Sequence, residues 1–103
     1  MEKIWIVDDD RSILDKLYAI LKRNDYDVLL FLRPEDILAE LDIEKPAVVI
    51  VDLFFKNSDL SGEDIVTRVV SDCTPTQVVI ISGQTDLKRT LDSLRSGALD
   101  FIE

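Results

Sequence analysis

The strongest constraint on the fold is a set of short apolar runs that do not alternate with polar residues. They are Ile4-Trp5-Ile6-Val7, Val28-Leu29-Leu30-Phe31-Leu32, Ala47-Val48-Val49-Ile50-Val51 and Val78-Val79-Ile80-Ile81, mostly β-branched or aromatic. A strand with one wet face alternates, whereas a strand covered on both faces has no need to. The runs therefore predict parallel strands lying between layers of helices. A final run from Leu99 to Ile102 starts a fifth strand.

Helical patterns separate the runs. Ile13, Leu14, Leu17, Ile20 and Leu21 form one stripe between Arg11 and Arg23, the signature of a helix with a single apolar face. Pro34 is suited to a first helical position, ahead of Ile37, Leu38 and Leu41. Ser61 can cap a third helix, with Asp64 three residues on and Ile65, Val66, Val69 and Val70 inward. A fourth starts at Thr85 or Asp86, buries Leu87, Leu91 and Leu94, and stops at Gly97. The order β-α-β-α-β-α-β-α-β predicts an α/β fold: a doubly wound, five-stranded parallel sheet with right-handed crossovers.

Composition narrows the function. The chain has 103 residues, enough for one core, so residues 1–103 are read as one domain. Its 47% hydrophobic content excludes disorder despite a net charge of −9. That charge argues against nucleic-acid binding by this domain itself. With no His and only Cys73, the chain lacks the commonest general base and any multi-cysteine zinc site. No run approaches the roughly 18 apolar residues of a membrane span. The first residues run straight into a strand with no signal-peptide pattern, and a lone Cys fits a reducing compartment, so a cytoplasmic location is expected.

Ligands of open parallel sheets bind beyond the carboxyl ends of the strands, at the switch in strand order. The first run ends in Asp8-Asp9-Asp10, the third in Asp52 and the fourth in Ser82-Gly83. If the first and third strands are neighbours, Asp8, Asp9 and Asp52 converge. Two such charges about 4 Å apart repel by on the order of 4 kcal/mol at an effective dielectric near 20. Protonation or a cation relieves this. All-oxygen ligands with open positions suit Mg2+, and no calcium-binding loop is present. Asp9 and Asp10 also stand where a side chain would cap the first helix, and Asp52 alone could be a solvated strand end.

Ile6-Val7-Asp8-Asp9-Asp10, Val49-Ile50-Val51-Asp52, Leu60-Ser61-Gly62, Ile80-Ile81-Ser82-Gly83 and Gly97-Ala98-Leu99-Asp100-Phe101, in this order and spacing, resemble the receiver domain of two-component response regulators. The resemblance covers essentially the whole chain. It implies a flavodoxin-like strand order, 2-1-3-4-5. It makes Asp52 the phosphoacceptor, Asp8 and Asp9 magnesium-binding residues together with Asp52 and the backbone carbonyl of Phe54, Ser82 the hydroxyl that bonds the incoming phosphoryl group, and Phe101 the aromatic switch. It implies a histidine kinase as donor, and an output domain or partner protein downstream. Such a domain is a phosphoacceptor with self-catalysed transfer and dephosphorylation rather than an enzyme acting on a released substrate.

Some positions depart from the family pattern. The segment between Asp52 and Gly62 is about two residues longer than usual and lacks Pro. Phe54 and Phe55 within it could shield an acyl phosphate or pack against the third helix. The family's Lys after the fifth strand would fall just past Glu103, as would a fifth helix. The domain is therefore expected to be incomplete at its carboxyl end, with an apolar sheet face that favours a homodimer. The alternative to a phosphoacceptor is a pseudo-receiver, a phosphorylation-independent interaction module. A dehalogenase-type phosphatase would have a second Asp where Phe54 stands. A nucleotide site would have a Gly-rich first turn where Asp9-Asp10-Arg11-Ser12 stands.

Overall fold

The structure, a computed structural model, describes residues 2–72 and 75–81 and the backbone of 100–102. Ser82, Gly83, the helix expected from Thr85 to Gly97 and the side chain of Phe101 lie outside the described residues. The elements are β1 (Lys3–Val7), α1 (Arg11–Lys22), β2 (Asp27–Phe31), α2 (Pro34–Leu41), β3 (Val48–Asp52), α3 (Gly62–Asp72), β4 (Gln77–Ile81) and β5 (Asp100–Ile102). Every apolar run is a strand, shifted by a residue at some ends. All the strands pair in parallel, in the order β2-β1-β3-β4-β5, as expected for a doubly wound sheet.

Alternate residues of each strand face opposite layers. Trp5, Val7, Val49, Val51, Val78 and Ile80 pack with Ile37 and Leu41 of α2 and Ile65, Val66 and Val69 of α3. Ile4, Ile6, Val28 and Ile50 pack on the other face with Leu14 of α1, flanked by Leu17 and Leu21. Trp5 is fully buried, its ring centroid 5.6 Å from that of Phe31.

Some apolar positions are more exposed than their pattern predicts. Leu29 is 44% exposed because β2 is an edge strand, and the eight-residue α2 covers Phe31 but not Leu29. Ile20 and Val70 are also exposed, since each flanks a seam that narrower sets, Leu14-Leu17-Leu21 and Ile65-Val66-Val69, already fill.

The strands are stitched together where they begin. Backbone N–H groups of Asp27, Ala47 and Gln77 donate to the carbonyls of Glu2, Lys3 and Ala47, each at 2.9 Å. The buried Thr76 hydroxyl donates to the Pro46 carbonyl at 2.6 Å. These bonds set the register of β1, β2, β3 and β4 before any strand reaches its carboxyl end.

Candidate functional site

The chain runs from β1 outward to β2, then returns to the other side of β1 as β3. The crevice of the sheet therefore opens between the carboxyl ends of β1 and β3. Ile4 pairs with Val48 and Val7 with Val51. That register leaves Asp8 and Asp52 side by side one step later.

Asp8 is still held in the line of the sheet. Its N–H donates to the Phe31 carbonyl at 3.0 Å, and its side chain is buried. Asp8 Oδ1 accepts the Asp10 N–H at 2.8 Å. Asp10 turns away to cap α1, its Oδ1 accepting from the Ser12 N–H at 2.9 Å and the Ser12 hydroxyl at 2.8 Å. This capping, led by the Ser12 hydroxyl, holds the Asp10 carboxyl below its ordinary pKa. Asp10 is thus the helix cap, and Asp9 is free for another role. Asp9 Oδ2 accepts the Lys56 N–H at 3.0 Å across the crevice. Asp52 ends β3, half-buried, with Oδ1 facing the Phe54 N–H at 3.4 Å.

Carboxylate oxygens of Asp8, Asp9 and Asp52 lie within 4.8 Å of one another. Burial, reinforced by the charges of Asp52 and Asp9, pushes the Asp8 carboxyl up to about 7, against the pull of the Asp10 N–H. Burial raises the Asp52 carboxyl too, with the Asp9 charge adding to it. Asp8 Oδ2 is buried and meets no hydrogen-bond donor among the described residues. An orphaned, buried carboxylate oxygen beside two further carboxylates is a site short of positive charge. Its hard oxygen donors and its open side fit a magnesium ion.

The cleft above these groups has a volume of about 200 Å³ and is lined by Asp8, Asp9, Asp10, Ile13, Asp52, Phe54, Lys56 and Ile81. Phe54 and Phe55 are half-buried against the α2 and α3 side of the core, so packing holds both rings, and Phe54 also walls the cleft.

Of the residues singled out from the sequence, Asp8, Asp9 and Asp52 come together, with Phe54 beside them. Ser82 lies outside the described residues. For Phe101 the backbone places its position opposite Ile80 in the β4–β5 register. The sequence assigns no role in the site to two neighbours, although Gly62 belongs to the Leu60-Ser61-Gly62 motif. Gly62 is buried with its N–H donating to the Leu53 carbonyl at 3.2 Å. A Cβ there would stand 2.2 Å from the Asp52 carbonyl oxygen, so α3 sits directly against the strand end that carries Asp52. Lys56 is brought in by its backbone, and nothing in its local sequence marks it.

The chain matches the family model of the response regulator receiver domain over residues 4–103. It is 28% identical over 100 residues to the nitrogen assimilation regulatory protein NtrX of Azorhizobium caulinodans, covering 97% of this chain and 22% of that protein. It is 26% identical to the transcriptional regulatory protein FixJ of Bradyrhizobium diazoefficiens, covering 97% and 48%. The structure resembles the BeF3-activated DrrB receiver domain, with a TM-score of 0.87, 32% identity, and coverage of 99% and 83%. It also resembles a CheY-like receiver domain protein from Methanospirillum hungatei, with a TM-score of 0.89, 26% identity, and coverage of 99% and 80%. The chain spans between a fifth and a half of the lengths of the two curated relatives named.

Proposed function

The chain belongs to the response regulator receiver domain family, and from that premise we propose that it accepts a phosphoryl group on Asp52 from the phosphohistidine of a histidine kinase. Magnesium would be held by Asp8, Asp9, Asp52 and the backbone carbonyl of Phe54. The observation that carries this reading is the convergence of three carboxylates within 4.8 Å at the sheet's switch point, one of them with a buried oxygen that meets no donor.

Phosphoryl transfer asks the protein mainly for alignment and for neutralisation of charge. A bound magnesium ion would supply the neutralisation and orient a phosphoryl oxygen. An Asp52 carboxylate oxygen attacks phosphorus in line. A new O–P bond forms as the P–N bond to the kinase imidazole breaks, and the nitrogen leaves with the electron pair. Asp52 is held for attack by its place at the end of a buried strand and by the Phe54 N–H. The Asp9 carboxylate is kept from swinging away by the Lys56 N–H. Ser82 would bond the phosphoryl oxygens, and Phe101 would follow it as a two-state element. The signal then passes to an output domain or partner protein. No helix among the described residues is long and apolar enough to cross a membrane, and a cytoplasmic setting fits this reading.

Intact-mass measurement after incubation with acetyl phosphate tests the proposal. A phosphoryl adduct is expected with magnesium, and none is expected with EDTA or in Asp52→Asn. A folded parent chain that never acquires the adduct would overturn the phosphoacceptor reading in favour of an interaction module.

A further inference from the structure

The cleft holding Asp8, Asp9 and Asp52 contains one cationic residue among its described lining, Lys56. It sits in the long segment between β3 and α3, and its backbone N–H is pinned to Asp9 Oδ2 at 3.0 Å. That bond fixes the base of the side chain at the rim of the carboxylate cluster. Lys3, Arg11, Arg33 and Arg68 each pair with a carboxylate. The Lys56 ammonium has no such pair among the described residues, and its side chain is exposed at the mouth of the cleft.

Charge gives this placement a use. Three carboxylates and a divalent cation sum to about −1, and a phosphoryl group on Asp52 takes the sum to about −2. A cation at the rim is therefore held more strongly by the phosphorylated site than by the metal-bound one, and less strongly by the metal-bound site than by the metal-free cluster of about −3, so it favours the phosphoryl group and opposes the metal. We propose that Lys56 is an anion-binding residue of this site: its ammonium contacts the phosphoryl group on Asp52 and favours the phosphorylated form. This rests on the phosphoacceptor reading and adds a residue to it.

The two states predict opposite signs, which a merely structural lysine would not produce. The probes are magnesium alone and beryllofluoride with saturating magnesium, each titrated calorimetrically into the parent chain, Lys56→Gln and Lys56→Arg. Lys56→Gln is expected to weaken beryllofluoride binding about fivefold, the effect of one charge pair about 4 Å apart at high dielectric. It is expected to tighten magnesium binding alone by about twofold, less because salt screens the longer separation. Lys56→Arg keeps the charge and should stay near the parent in both titrations. Weakening of both ligands in Lys56→Gln would mean that the residue only braces the loop on Asp9, and would overturn the proposal. So would unchanged beryllofluoride binding. Failure of the parent chain itself to bind beryllofluoride would instead remove the phosphoacceptor reading, and this proposal with it.

Discussion

Replacing Gly62 with Ala adds one methyl group at the most crowded point beneath the site. The new Cβ would lie 2.2 Å from the Asp52 carbonyl oxygen, 2.7 Å from Leu53 Cα and 2.9 Å from the Asp52 carbonyl carbon. A relaxed carbon–oxygen contact is about 3.3 Å or longer, so α3 and the end of β3 must separate by roughly 1 Å. The obstacle is backbone, and β3 is held by ladders to β1 and β4, so neither side can give by rotating a side chain. Overpacking of this kind costs about 1–3 kcal/mol where side chains can adjust, and a rigid obstacle puts the expected loss at the upper end, about 3 kcal/mol. At about 4–8 °C per kcal/mol for a domain of this size, the melting temperature falls by roughly 12–24 °C. Urea unfolding followed through Trp5, the single tryptophan and fully buried, reads the loss directly. Movement of Asp52 with its strand should also weaken magnesium binding in whatever fraction stays folded, because metal sites tolerate only about 0.5 Å of displacement. A variant within about 0.5 kcal/mol of the parent would refute the argument, since it would mean that helix and strand separate at no cost.

Asp8→Asn tests the electrostatics of the cluster. The Asp8 carboxyl has its ordinary value of 3.8 when unfolded and about 7 when folded, so the native state keeps a proton that the unfolded chain releases. The metal-free protein should therefore lose stability as pH rises across that interval, with the full cost, at most about 4 kcal/mol, present above it. Asp8→Asn should flatten this slope and exceed the parent in stability near pH 8 in EDTA, as read by denaturant midpoints; a parent with no slope would contradict it. At the opposite end of the sheet, Thr76→Val removes the donor to the buried Pro46 carbonyl and should cost about 1–3 kcal/mol. An unchanged unfolding midpoint would show that water replaces the hydroxyl there.

Much of the fold could be read from the residues because its signals are local. A run such as Val48–Val51 cannot be satisfied with one wet face, and Pro34 and Asp10 mark helix starts by their own chemistry. The triad was legible because its members end or directly follow a strand, and strand ends can be found without knowing the tertiary structure. Exposure was less legible. Ile20, Leu29 and Val70 carry the same apolar signal as their buried neighbours, and only the width of the covering layer decides among them. Gly62, although part of the Leu60-Ser61-Gly62 motif, and Lys56 show no role in the site from sequence alone, for a related reason. Their importance comes from contacts with Asp52 and Asp9, residues far away in the chain, and no periodicity reports such a contact.

The bonds that stitch the strand beginnings together divide the labour along the sheet. Because Glu2, Lys3, Pro46 and Ala47 fix the register at one end, the loops at the other end do not have to. A loop there can lengthen without slipping any strand by a residue, a slip that would turn Asp8 or Asp52 to the opposite face. The segment after Asp52 illustrates the freedom this gives: it carries Lys56 to the rim of the cleft while Asp52 stays opposite Ile81 on β4. Variation can therefore explore new rims around a fixed floor, and insertions confined to the carboxyl-end loops change what the site meets without changing what it is.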